Sequence, residues 1–356
     1  MATSQRDESL DLLRVIGMLI IFTAHGGAPG WVIQPIGFGV VLLIITSGMS
    51  HRLLLDRKQP RIGPFLRQRL TRIVVPVWLF LALYLPVTWA ACALLGEPFP
   101  WSREVLLETA VLGDGFGYVW IFRIYALLAL ATMPILVLSR RVRSLPLWGL
   151  GVAGVLIGME LVTPRVLAQD LSPEAVEWMR LVVLAVPAYT AVFALGLRLH
   201  EASHRQLVVG AAFALAAVLA NMLPEVLGDG SFTGPRAHKY PPRLYYVAYG
   251  LFGTLSLALV RQPLARRVPR EATVWFSRNT LWVYLWHIPL VHNLDGLAGL
   301  LGLPLPWPVR SILLMTFGIG CTLVQHALVR RIARPSSPGA LLWVADLLGV
   351  RVQAAR

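Results

Sequence analysis

Apolar residues in this chain gather into runs of bilayer length rather than alternating with polar ones. A window of about nineteen residues places such runs at about 12–30, 32–50, 74–95, 117–138, 145–163, 180–198, 207–223, 244–260, 275–294 and 310–329. Each is long enough to cross a hydrocarbon core as a helix, which takes roughly 17 to 25 residues. The pattern predicts an all-α fold: a polytopic membrane bundle of about ten transmembrane helices. The first run could be mistaken for a signal peptide, but no small-residue cleavage site follows it and Arg14 and His25 lie within it. It reads as a retained span.

Composition agrees. Hydrophobic residues make up 56% of the 356 and charged residues 14%, against about a quarter charged in soluble domains. The net charge of +14 would suggest nucleic acid in a soluble protein, so the placement of the basic residues decides what it means. They fall in alternate connections: Arg52, Arg57, Lys58, Arg61, Arg67, Arg69 and Arg72; then Arg140, Arg141 and Arg143; Arg198 and Arg205; Arg261, Arg266, Arg267, Arg270 and Arg278; and the tail with Arg330, Arg331, Arg334, Arg351 and Arg356. The opposite connections hold Glu97, Glu104, Glu108 and Asp114, then Asp170, Glu174 and Glu177, then Glu225 and Asp229. By the positive-inside rule both termini are expected in the cytoplasm, and the charge is a topology signal rather than a nucleic-acid footprint. Anionic lipid remains as a partner for it.

Cys92 and Cys321 each sit inside an apolar run, which argues against a disulfide framework and a Cys-ligated metal. No internal repeat of the inverted kind used by transporters stands out. The segment 228–242 is rich in Gly and Pro and reads as an outer loop that could cap a site. Residues 1–334 are expected to form the membrane domain and 335–356 a short cytoplasmic or interfacial tail, with an interfacial helix over 339–350 because that run is too short to span.

Ionisable residues at membrane depth are costly, so each is a candidate for function. On the first span, Arg14 and His25 are eleven steps apart, within roughly 20° of one face and roughly 16 Å apart along it. Asp11, three residues before Arg14, can pair with the guanidinium. The same residues also fit a topology anchor and a helix-end histidine bonded to a neighbour. Arg69 and Arg72 share a face at the entry to the third span, below Pro76, and suit either phosphates or lipid headgroups. Arg123 begins the fourth span from the outer side and suits a polar or anionic substrate group, or outward snorkelling. On the ninth span, nine steps from Arg278 carry His287 roughly 13 Å in, close to the depth of His25. Two imidazoles from different helices at one depth suggest a polar chamber; a Trp/Tyr belt with a core histidine is the alternative. Glu160, Asn221 and Ser47 are weaker candidates with packing roles.

Taken in order, Leu10 to His25, Ser47-Gly48 before basic residues, Arg69 to Pro76, Trp120 to Tyr125 and Tyr284 to Pro289 resemble the membrane-bound acyltransferase-3 family, over about residues 6–330. The spacing of Arg14 and His25 and the Tyr-x-Trp-His-x-Pro stretch carry the resemblance most strongly. It implies an integral membrane acyltransferase, expected in a bacterial inner membrane, that uses acyl-coenzyme A, commonly acetyl-coenzyme A, and no metal. The acceptor is expected to be a hydroxyl of a sugar, glycolipid, cell-surface polysaccharide or secondary metabolite. In that frame Arg14, Arg69 and Arg72 hold the coenzyme phosphates and His25 is the general base, with His287 or Tyr284 polarising the thioester carbonyl. Arg123 and Trp286 contact substrate. The chain departs from members that carry a Glu in the region of Trp120 to Tyr125, where Arg123 is the polar residue here, and it matches none of the appended esterase-like domain found in others. A transporter or flippase of a polar or lipid-linked small molecule is the rival reading, with the same residues lining a route. A membrane scaffold is the third.

Overall fold

The computed structural model describes residues 7–58, 61–170, 172–228, 230 and 232–350, and among them it contains helices and turns with no strand. Asp229, Arg351 and Arg356 lie outside the described residues. The helices are α1 (Glu8–His25), α2 (Gly30–Ile36), α3 (Gly39–Lys58), α4 (Ile62–Leu95), α5 (Arg103–Ala110), α6 (Trp120–Arg141), α7 (Leu145–Leu167), α8 (Pro173–Trp178), α9 (Ala185–Leu199), α10 (His204–Gly228), α11 (Leu244–Ala265), α12 (Arg270–Leu301), α13 (Trp307–Ile332) and α14 (Gly339–Leu347). A π-helical turn, Met179–Leu184, joins α8 to α9 into one continuous rod.

Among the described residues eight helical segments are long and apolar enough to cross a membrane, with Gly30–Asp56 counting as one. Each expected span overlaps a helix, but the run at 12–30 leaves its helix at His25 and the run at 32–50 is broken at Gly37 and Phe38, between α2 and α3. The two long helices left out of that eight are α1 and α12. The reason is local: α1 carries Glu8, Asp11 and Arg14 within 18 residues, and α12 carries His287, His292, Asn293 and Asp295. These same two helices bear the candidate histidines. Beyond the expected runs, α4 starts twelve residues before position 74, and α14 forms a helix over most of 339–350.

The chain divides into two compact units. The first holds Met1–Ala24, Ala28–Pro60 and Leu130–Ser277, the second His25–Gly27, Arg61–Ala129 and Arg278–Arg356.

The first unit is built around α3 and α9. Val41, Leu42, Ile44 and Ile45 of α3 and Tyr189, Val192 and Phe193 of α9 are fully buried. The helices meet backbone to backbone at two glycines. A Cβ on Gly48 would lie 2.5 Å from the Phe193 carbonyl oxygen, and one on Gly196 would lie 2.4 Å from that of Ile45. Small residues serve helix contact in a bilayer because no hydrophobic gain separates helix from lipid, so close packing must supply the attraction. Below this contact Arg198, nearly buried, caps α6 by donating to the Val142 and Arg143 carbonyls and pairs with Glu201 at 2.8 Å. It satisfies carbonyls of the chain just beyond the end of α6. Asp11, only 2% exposed, accepts the Ser277 hydroxyl at 2.6 Å and faces Arg14 at 3.5 Å; Arg14 also donates to Ser277 and Ser50.

In the second unit α14 is fastened at three points. Trp282 Nε1 donates to the Leu347 carbonyl at 2.8 Å, Gln325 Nε2 to that of Leu348 at 2.8 Å, and Arg72 pairs with Asp346 at 2.7 Å.

Because no flexible side-chain end is available to give way at Gly196, a Gly196→Val substitution should force α3 and α9 apart and cost about 1–3 kcal/mol, as overpacked cores do. Thermal unfolding of purified protein in detergent checks this. A melting temperature equal to wild type would refute the close contact.

Candidate active site

The second unit brings His25 and His287 together. His25 is the last residue of α1, and Gly26 and Gly27 turn the chain immediately after it, Gly27 with φ +78°. Gly26 is required there by contact as well: a Cβ on it would meet Ser311 Oγ at 2.3 Å and the Ser311 amide nitrogen at 2.8 Å. The end of α1 is thereby held against α13, and the imidazole that follows from it is placed on α12. His25 Nδ1 lies 2.8 Å from His287 Nε2, and the two rings are nearly parallel, 5.1 Å between centroids with an 8° tilt.

Hydrogen-bond chemistry assigns the protons. His287 Nδ1 faces the carbonyl oxygen of Tyr284, one turn earlier on α12, and a carbonyl can only accept, so Nδ1 carries the hydrogen. In the neutral ring Nε2 is then an acceptor, and His25 Nδ1–H is its donor. The lone pair of His25 is left on Nε2. This is the arrangement of a base whose tautomer is fixed by a second group, with His287, fully buried, in the orienting position.

A third element completes the cluster from a direction the hydropathy pattern did not reveal. After α4 ends at Leu95 the chain folds back, and α5 lies alongside the middle of α4: Trp78 Nε1 donates to the Ala110 carbonyl at 2.9 Å, although Trp78 is 17 residues, about 26 Å of helix, before the end of α4. The segment expected to be an outer loop folds back along α4. It closes with a tight turn in which Gly115, Gly117 and Tyr118 have φ of +44°, +85° and +65°. Tyr118 is the costly member, since a side chain in the left-handed region is disfavoured and persists only where the surroundings enforce it. Three bonds do so. Phe116 N–H donates to Thr109 Oγ1 at 3.1 Å, His292 Nε2 faces the Phe116 carbonyl at 3.2 Å, and Tyr284 OH donates to the Tyr118 carbonyl at 2.7 Å. The Tyr118 ring is aimed edge-on at His25, 4.7 Å between centroids. His292 is itself held by Tyr84 OH at 2.9 Å and lies among Trp101, Phe116 and Tyr118. Irregular backbone packed against membrane-type helices needs protein groups to satisfy it, and here they do.

The sequence candidates fall as follows. His25, His287 and Tyr284 come together, but the one proton of the Tyr284 hydroxyl is committed to the Tyr118 carbonyl, so Tyr284 positions the turn. Trp286, expected to contact substrate, donates its indole N–H to Gln325 Oε1 at 2.7 Å and packs on Phe80. Arg123 lies near Asp114, whose carboxyl is pushed up by burial while the guanidinium draws it down. Arg69 stacks over Phe65, 5.7 Å from the ring centre, and Arg72 is paired with Asp346. Arg14 lies in the first unit with Asp11, Ser50 and Ser277. No group of three or more metal-ligating side chains occurs among the described residues. Tyr118, Tyr84 and His292 were not singled out from the sequence. The signal that could have found the first is the alternation Gly113, Gly115, Gly117, which marks a turn needing left-handed backbone.

Residues 7–325 match the family model for the acyltransferase domain of acyltransferase family 3. The chain belongs to that family. It is therefore a membrane acyltransferase, and the histidine cluster lies within the matched region. No curated protein and no solved structure matches the chain.

For this acyltransferase, Tyr284→Phe removes one neutral hydrogen bond and keeps the ring. Transfer should fall only about 3- to 10-fold, the worth of a bond of about 1 kcal/mol. If Tyr284 stabilised the developing oxyanion directly, the same variant would lose roughly a hundredfold or more in kcat. Steady-state rates of the purified variant separate the two roles.

Proposed function

We propose that this protein is an O-acetyltransferase of a bacterial inner membrane, moving an acetyl group from acetyl-coenzyme A to a hydroxyl of a glycan, glycolipid or secondary metabolite. Both termini are in the cytoplasm, and the donor enters from that side. The observation that carries the reading is the bond between His25 Nδ1 and His287 Nε2, which leaves His25 a base of defined tautomer inside an acyltransferase domain.

In this scheme the acceptor O–H approaches His25 Nε2. Its oxygen attacks the thioester carbonyl carbon as the proton passes to the imidazole. The tetrahedral intermediate collapses with breakage of the C–S bond, and the departing coenzyme A thiolate takes the proton back from His25. The products are the acetyl ester and free coenzyme A thiol, with no covalent acyl-enzyme. An imidazole suits the role because its pKa lies near neutrality, so one group can both accept and return the proton. His287 holds the His25 ring through the transfer and stabilises the imidazolium by accepting its Nδ1–H.

Arg69 and Arg72, on the amphipathic start of α4, are the guanidiniums we assign to the coenzyme phosphates, which they suit by charge and by their forked donors. Asp346 then stands where a phosphate oxygen would, and its carboxylate is displaced when the donor binds. Arg14 precedes His25 by eleven residues on the same helix, roughly 16 Å, a length that a phosphopantetheine arm covers.

Replacement of His25 by Gln should lower coenzyme A release in the presence of acceptor by roughly 10²- to 10⁴-fold while the protein still folds. Free thiol produced at the wild-type rate would remove His25 from the chemistry. Arg72→Ala should instead raise KM for acetyl-coenzyme A about tenfold with kcat little changed, the expected size for a lost charge-assisted bond. Reconstituted vesicles that move acceptor without consuming coenzyme A would favour the transporter reading instead.

A further inference from the structure

The α4 helix presents two different stripes within the second unit. Val77, Phe80, Leu81 and Tyr84 are buried, and Leu81 also forms, with Trp78, Ala82, Leu85 and Pro86 at i, i+3, i+4, i+7 and i+8, one wall of a groove. The other wall is Leu106 and Ala110, one turn apart on α5. The groove between them has a volume of about 500 Å³, within the range of ligand clefts, roughly 300–1,000 Å³. Its lining is apolar throughout. The single polar atom in the set, Trp78 Nε1, is already bound to the Ala110 carbonyl.

The medium beside it decides what fills it. Around the groove α4 exposes Leu79, Leu83 and Val87, by 37%, 51% and 58%, and this helix is long and apolar enough to cross the bilayer. The groove is therefore continuous with the lipid-facing surface, and a hydrocarbon chain is the ligand whose chemistry it matches. Its position says which chain. Tyr84 lies between Leu81 and Leu85 on the same helix and, through its bond to His292, belongs to the cage of Trp101, Phe116 and Tyr118 that ends at His25. A tail lying along Trp78 to Pro86 brings a polar head attached to it to the cage.

Resting on the acyltransferase reading, we infer that the α4–α5 groove is the tail subsite for a lipid acceptor: the hydroxyl that receives the acyl group is carried on a head with a long alkyl chain. Water-soluble sugars and polymers without such a chain are poor acceptors.

The test is photo-crosslinking in phosphatidylcholine vesicles with a dodecyl glucoside that carries a diazirine in its chain, applied to His25→Ala protein. That variant is inactive if His25 is the base and intact at the groove, so the binding readout is independent of the chemistry. Labelling should concentrate on 78–86 and 103–110, several-fold above that on Leu94 and Leu95, which face lipid at the end of α4 with 88% and 77% exposure. Ala82→Trp, which fills the groove, should abolish the excess without changing the melting temperature. Labelling no greater than at Leu94 and Leu95 would overturn the subsite. Equal labelling of the groove by a diazirine phosphatidylcholine would overturn its assignment to the acceptor and make it a site for a resident bilayer lipid.

Discussion

The hydrogen bond between His25 and His287 is the contact on which the rest of the site depends. An imidazole that enters a bilayer-spanning bundle must find a partner within the protein, because lipid offers none and a buried polar group without one costs several kcal/mol. Here each ring satisfies the other, and the Tyr284 carbonyl settles the direction of the donors. Satisfying the desolvation constraint and fixing the tautomer of His25 are one arrangement. A carboxylate in place of His287 would also orient His25, but would bring a full charge to the same depth at greater cost.

The same constraint explains the segment that folds back along α4. Reaching His25 from the side of α4 requires backbone that is not helical, and such backbone exposes amide and carbonyl groups. The turn from Gly113 to Tyr118 is built so that its groups are taken up by Thr109, His292 and Tyr284. The strain of a left-handed tyrosine is the result, and the bonds that enforce it come from the helix that carries His287. A change on α12 is thus felt at both histidine and turn. The return of α5 along α4 also leaves α4 with Phe80 and Tyr84 buried on one side and Trp78, Ala82, Leu85 and Pro86 along a groove on another, which is how one helix comes to serve both the cage and the groove.

In the first unit the governing device is different. Polar contacts tie Asp11, Arg14, Ser50 and Ser277 together, Arg198 to Glu201, Glu160 to Arg243 and the Leu244 amide, and His51 to Thr132. Helices also meet by close approach at glycine: Gly48 and Gly196 between α3 and α9, and Gly250 and Gly253 of α11 against Val41 and Phe38. This is packing of the kind that works without a hydrophobic driving force.

By itself the sequence determined the architecture's class and the location of its expensive residues. Runs of bilayer length could only be helices, because only a helix satisfies its own backbone in hydrocarbon, and the polar interruptions at Arg14, His25 and His287 were legible as exceptions to an otherwise uniform pattern. The spacing of Arg14 and His25 and the stretch around His287 were enough to suggest the acyltransferase family that the domain match shows. What only the tertiary structure decided was partnership. Hydropathy measures how a segment prefers its medium and says nothing of which segment lies beside which, so the fold-back of α5, the seat of Tyr118 on His25 and the bond from His292 to Tyr84 left no trace in periodicity. Nor could sequence say that the Tyr284 hydroxyl and the Trp286 indole are spent on Tyr118 and Gln325, since a donor's partner is fixed by distance, and distance between helices is set by packing.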